Sequence, residues 1–170
     1  MRFLLKLFLF FSVLGVNMES SANHGQVGVY NQAFFGLWEQ MFLELKSSYG
    51  KEETLKLCKH VMEKSLAKAY DSTGFKKGSP NEFARVLKLR DNAVGLDVDF
   101  PKITDNEIIY QFKTDPFPNI KGQFTTNEVY STFIPFKIHH ILGDNWGYKI
   151  TKDIWKNDKL TEITIFRIKK

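Results

Sequence analysis

Two residues carry side chains suited to acid–base chemistry, Asp115 and His140. Asp115 opens the loop of residues 115–118 (DPFP), where two prolines restrict the backbone and hold the carboxylate in a defined place. His140 shares its parity with Phe136 and Leu142 in a segment that alternates apolar and polar residues, which makes it a catalytic base or ligand contact in a predicted strand. Each residue also has a plainer interpretation, a simple turn for Asp115 and a hydrogen-bonded core histidine for His140.

No familiar catalytic signature accompanies these two residues. The chain contains no Gly-x-Ser-x-Gly elbow, no His-Glu-x-x-His motif and no phosphate-cradling glycine loop. Residues 65–68 (SLAK) have the Ser-x-x-Lys spacing, but without companion motifs they are typical of a surface helix turn. Asp97 and Asp99 share one side of an extended segment, either as a cation site or as solvated loop acids. The sequence predicts no metal site and no cofactor.

Four aromatic residues are candidates for binding a ligand: Trp38, Tyr110, Trp146 and Tyr148. They either line an apolar pocket between helices and a sheet or belong to the core. The chain has 24 Lys and Arg against 19 Asp and Glu, a formal net charge of +5, and the charges are scattered and interleaved. Nucleic-acid-binding proteins concentrate positive charge on one face, so the sequence predicts no nucleic-acid partner. The predicted partner is a small molecule.

The first 22 residues have the pattern of a secretory signal peptide. Basic residues precede the apolar run of residues 7–16 (LFLFFSVLGV), and small residues precede a cleavage site after Ala22. An uncleaved anchor and a buried N-terminal helix are the alternatives. The sequence therefore predicts a secreted or periplasmic protein with no membrane span after cleavage, a flexible lead at residues 23–33 and a single domain at residues 34–170.

Hydrophobic periodicity places helices before strands. Phe34, Trp38 and Met41 recur on one helical face, with Glu39 and Gln40 on the opposite face. The predicted helices cover residues 31–48, residues 51–70 after a break at Tyr49-Gly50, and a third segment that starts with the Ser79-Pro80-Asn81-Glu82 capping signal and ends near Gly95.

Period-two alternation follows the helices and predicts strands at residues 108–113, 136–142, 148–155 and 160–168. Cys58 lies on an apolar helical stripe and is expected to be a small buried side chain. Helices gathered before strands indicate an α+β fold. We expect two to three N-terminal helices packed on one face of an antiparallel sheet.

Three strings of the sequence show a resemblance to the L-2-amino-thiazoline-4-carboxylic acid hydrolase-like family. They are residues 49–53 (YGKEE), the strand that leads into residues 115–117 (DPF), and residues 142–148 (LGDNWGY). Members of that family tend to carry Cys-Pro after this strand and Gly-Asp followed closely by a cysteine. Here Asp115 precedes the proline, and Gly147 stands where the second cysteine would fall.

The resemblance implies hydrolytic opening of a small cyclic amidine. If this chemistry is retained, Asp115 is the candidate base and His140 the candidate hydrogen-bond donor. The loss of both cysteines leads us to expect an exported, catalytically degenerate domain that binds a small molecule. Two alternatives stay open. One is an active hydrolase of a small cyclic amidine or amide, and the other is an envelope protein-interaction module with a nuclear-transport-factor-2-like cone.

Overall fold

The computed structural model describes residues 27–169 and confirms the α+β prediction. The predicted signal peptide and its cleavage site lie outside the described residues. Helices pack on one face of an antiparallel sheet whose strand order is β1-β2-β4-β3. The elements are α1 (Gln32–Asp71), α2 (Pro80–Ala93), β1 (Val98–Ile103), β2 (Glu107–Phe112), α3 (Thr126–Tyr130), α4 (Ile134–Ile141), β3 (Trp146–Lys152) and β4 (Thr161–Arg167), with 3₁₀ turns at Pro118–Ile120 and Ile154–Lys156.

Local sequence signals set the boundaries of the first two helices. The Asn31 side chain accepts a hydrogen bond from the backbone N–H of Phe34 and caps α1. Gly50 interrupts α1 with φ 78° and ψ 168°, which confirms the predicted break, because this backbone conformation favours glycine. Ser79 caps α2 by accepting from the N–H of Glu82, with Pro80 at the first helical position. Cys58 is fully buried, as its helical stripe predicts.

The predicted strand at residues 136–142 is wrong, because this segment forms α4. The buried residues Ile134, Ile138 and Ile141 recur at spacings of four and three, and Pro135 occupies the first turn, where its missing N–H costs nothing. The segment is short and rich in apolar residues, so period-two and helical patterns both fit it. Strand β1 is not predicted either, because Pro101 interrupts its alternation of apolar and polar residues. A proline is tolerated here because β1 is an edge strand.

The inner face of the sheet is filled by large side chains. Tyr110 of β2 pairs with Ile163 of β4, and both are completely buried, as are the neighbouring Ile108 and Ile165. The outer face is mostly polar, although Ile109 and Phe166 also lie on it, and there the Gln111 side chain donates to the Glu162 carboxylate at 2.7 Å. Within residues 27–169, the helices therefore cover the inner face of the sheet, as expected.

Residues 28–31 are fastened to the junction between α2 and β1. The N–H of Gly28 donates to the Asn92 carbonyl at 2.9 Å, and that of Asn31 donates to the Val94 carbonyl at 3.1 Å. Gly95 permits this close approach, because a Cβ atom there would lie 2.3 Å from the Cα of Tyr30. The described end of the predicted lead is thus hydrogen-bonded to the domain.

This contact makes Gly95 less tolerant of substitution than other glycines with positive φ. Gly95→Ala adds a backbone clash to the cost of about 1–2 kcal/mol for a left-handed alanine, so we expect a loss of at least about 3 kcal/mol. Gly74→Ala is the matched control, since its φ is +62° and a Cβ atom there would meet nothing within 4 Å. Urea unfolding measures both variants, and equal losses would contradict the close approach.

Candidate functional site

The Asp115 carboxylate is held in one orientation after the end of β2. Its Oδ1 accepts from the backbone N–H of Phe117 at 2.9 Å, and its Oδ2 accepts from the indole Nε1 of Trp155 at 2.7 Å. Burial raises the pKa of Asp115, and the two hydrogen bonds partly offset this effect. The loop of residues 115–118 therefore holds its carboxylate in place through a hydrogen bond from Trp155, 40 residues further along the chain.

A second carboxylate, Glu39 of α1, fastens the same loop to the helix. The Glu39 side chain is 3% exposed, although the helical pattern places it on the polar face. Its two oxygens accept from the backbone N–H and the side-chain amide of Asn119, at 2.7 and 2.8 Å. A carboxylate offers about four acceptor positions, so Glu39 retains acceptor capacity beyond these two bonds. No local signal identifies this contact, because the partners lie 80 residues apart.

Tyr30 lies next to both carboxylates. Its hydroxyl donates to the Pro116 carbonyl at 3.2 Å, and its ring stacks on that of Phe35 with centroids 5.0 Å apart. Burial raises the pKa of Tyr30, and the negative charges of Glu39 and Asp115 raise it further. The surroundings of this hydroxyl are therefore electrostatically negative.

An open cleft of about 420 Å³ lies between the first turns of α1 and the loop that contains the 3₁₀ turn Pro118–Ile120. We call it the α1–loop cleft. Gln32, Gly36 and Glu39 line the helix side, and Pro118 and Asn119 line the loop side. Among the residues that the structure describes, its lining includes a buried carboxylate and no Lys or Arg, on a chain whose net charge is +5. Its volume lies within the range of small-molecule sites.

His140 lies elsewhere, on α4. Its Nε2 is 2.7 Å from the Oδ1 of Asp71, and its ring stacks on that of Phe136. Asp115 follows β2, whose last residue pairs with the first residue of β4. His140 precedes β3, whose first residue pairs with the last residue of β4. Asp115 and His140 therefore lie towards opposite ends of the sheet. The structure does not bring the two together at one site.

The four predicted ligand-binding aromatics do not line the cleft. Tyr110 and Trp146 are at most 1% exposed and Trp38 is 8% exposed, so all three belong to the core. Tyr148 is partly buried and packs against that core. The Arg167 guanidinium lies 5.0 Å above the Trp146 ring. The space around these residues, between helices and sheet, is occupied by protein side chains.

A buried ion pair, which the sequence patterns do not predict, lies under the helices. Lys137 of α4 places its Nζ 3.0 Å from both carboxylate oxygens of Asp91 on α2. The Tyr110 hydroxyl donates to Asp91 Oδ2 and lies 3.2 Å from the Lys137 Nζ. Burial and the charge of Asp91 raise the pKa of Tyr110 well above its usual value.

Asp97 and Asp99, the candidate cation ligands, lie beside a lysine instead. The Lys113 ammonium is 3.8 Å from the Asp97 carboxylate and 3.7 Å from that of Asp99. Across residues 27–169, no group of three or more His, Cys, Asp or Glu side chains is placed to hold a metal ion. In the same part of the chain, no helix has both the length and the apolar character needed to cross a membrane.

No protein-family model matches the chain, and no curated protein matches its sequence.

The environment of Asp115 predicts how its titration responds to substitution. Trp155→Phe removes a hydrogen bond to the charged carboxylate and should raise the pKa of Asp115 further, whereas Glu39→Gln removes a like charge and should lower it. A raised pKa means that the folded state binds the proton more tightly than the unfolded chain. Stability therefore falls as pH rises through this titration, and it falls more in Trp155→Phe.

Carboxyl carbon chemical shifts, followed by NMR across the acidic pH range, measure this pKa in the wild type and both variants. An Asp115 titration that is the same in all three proteins would contradict the described contacts.

Proposed function

We propose that this chain is a small-molecule-binding domain whose binding site is the α1–loop cleft. The observation that carries the proposal is a cleft of ligand-sized volume at the Asp115 loop, with the buried Glu39 carboxylate in its lining. The loop is held by hydrogen bonds to Trp155 and Glu39. A site fixed in this way binds with little loss of conformational entropy.

The charge of the cleft favours a small organic cation, such as an amine or amidinium compound. Glu39, Gln32 and Gln40 supply oxygen acceptors, and within residues 27–169 no basic side chain in the lining repels a cation. The Tyr30 ring adds an aromatic surface of the kind that attracts cations. The resemblance to the L-2-amino-thiazoline-4-carboxylic acid hydrolase-like family points in the same direction, since a protonated cyclic amidine belongs to this class.

We propose binding rather than hydrolysis because Asp115 and His140 do not meet. A hydrolytic site needs its base and its oxyanion donor within reach of one substrate atom. The positions of these residues at opposite ends of the sheet give that arrangement no support. The proposal that the domain is exported rests on the N-terminal sequence pattern alone.

Filling the cleft from Gly36 tests the proposal. A Cβ atom at Gly36 would meet nothing within 4 Å, so Gly36→Leu should project into the cleft without disturbing the core. Gly36→Ala is the matched control, which shares the gain in helix propensity of about 1 kcal/mol but leaves the cleft open. Benzamidine is the probe, and benzoate, of similar shape and opposite charge, is its control.

Isothermal titration calorimetry should show benzamidine binding to wild type and Gly36→Ala, at least about tenfold weaker binding to Gly36→Leu, and no binding of benzoate. Benzamidine affinity that is equal in Gly36→Leu and wild type would place the ligand elsewhere. Tighter binding of benzoate than of benzamidine would overturn the assignment of a cation.

A further inference from the structure

The Asp91–Lys137 pair brings an amine and a carboxyl group into direct contact in the protein interior. Both residues are buried, Lys137 at 3% and Asp91 at 6% exposure. The Lys137 Nζ is 3.0 Å from each oxygen of the carboxylate. An amine in this position lies roughly 3.3 Å from the carboxyl carbon, a separation at which the two atoms can react once the amine is above the carboxyl plane. The rings of Tyr110, Phe112 and Phe133 surround the Nζ at 5.4 to 5.5 Å.

We propose that Lys137 and Asp91 condense to an amide, which makes an intramolecular isopeptide cross-link between α4 and α2. The reaction needs no cofactor and no second substrate. It converts a buried ion pair of the folded chain into a neutral covalent bond, and it is a modification of the protein by its own side chains.

The step balances within the pair. A proton passes from the Lys137 ammonium to the Asp91 carboxylate, which leaves a neutral amine and a carboxylic acid. The Nζ lone pair then attacks Cγ, the Nζ–Cγ bond forms, and a tetrahedral intermediate places negative charge on one oxygen. A second proton moves from Nζ to the other oxygen, the Cγ–O bond breaks, and one water molecule leaves. One ammonium and one carboxylate thus give one amide and one water.

The surroundings favour each part of this reaction. Two opposite charges in an apolar interior carry a large desolvation cost, and condensation removes both charges. Fixed contact between amine and carboxyl replaces an encounter in solution, and this proximity lowers the entropic part of the reaction barrier. The Tyr110 hydroxyl already donates to Asp91 Oδ2, where it would stabilise the oxyanion of the intermediate.

The departing water also has a place to bind. The Tyr70 hydroxyl is buried and has no hydrogen-bond partner within residues 27–169, and the charge of Asp91 contributes to the raised pKa of Tyr70. A buried hydroxyl of this kind readily takes a water molecule as its partner. The cross-link would join residues 46 positions apart, in a chain whose single cysteine cannot form an internal disulfide.

Mass spectrometry of the full chain under denaturing conditions tests the proposal. The wild-type mass should be lower than its sequence mass by one water, and a protease digest should contain a branched peptide that joins Asp91 to Lys137. Lys137→Arg keeps the positive charge but lacks the amine nucleophile, so it should have its full mass. Any trimming of the N-terminus affects both proteins equally and cancels in the difference. Tyr110→Phe should accumulate the cross-link more slowly than wild type.

Two internal comparisons keep the result specific. Lys88 and Asp99 form an exposed pair at 3.8 Å and should stay unlinked in the same digest. A succinimide at Asp91-Asn92 also loses one water, but it would persist in Lys137→Arg and give no branched peptide. A wild-type chain of full mass after prolonged incubation overturns the proposal. A missing water that maps to any site other than the Asp91–Lys137 pair overturns it as well.

Discussion

The arrangement of the fold depends on the Asp91 carboxylate, which connects two helices with the centre of the sheet. It belongs to α2, accepts a hydrogen bond from Tyr110 of β2 and pairs with Lys137 of α4. Removing one partner of a buried ion pair costs about 3–5 kcal/mol, because the other charge is left without a partner in a dry interior. This constraint fixes the position of both helices over the centre of the sheet. The same cluster supplies the reactants of the proposed cross-link.

Because side chains fill the space between the helices and the sheet, the proposed ligand site lies at the edge of the domain. Side chains such as Tyr110 and Trp146 occupy the space between the layers, which therefore offers no room for a ligand at these residues. The α1–loop cleft lies outside that core, where Glu39 and Asn119 join the helix to the loop. The stable interior and the proposed binding surface are thus separate, and substitutions at Gly36 can change the cleft without changing the core.

Sequence patterns predict the parts of this fold that depend on neighbouring residues. The break at Gly50 and the start of α2 at Ser79 follow from local backbone and capping chemistry. Helix α4 could not be recognised, because its few apolar residues satisfy two periodicities and its packing against the sheet decides between them. The contacts of Glu39 with Asn119 and of Asp91 with Lys137 span 80 and 46 positions. No pattern along the chain identifies such distant partners, so from sequence alone the Glu39 and Asp91 side chains would both be predicted to be exposed to solvent.

A double-mutant cycle on Asp91 and Lys137 tests most directly whether this buried pair organises the domain. The free energy of unfolding in urea would be measured for wild type that still has its full, uncross-linked mass, for Asp91→Leu, for Lys137→Met and for the double variant. Each single substitution should cost about 3–5 kcal/mol, and the double substitution should cost much less than their sum, since it leaves no unpaired buried charge. Single costs that simply add in the double variant would show that the two residues act independently and would contradict the account.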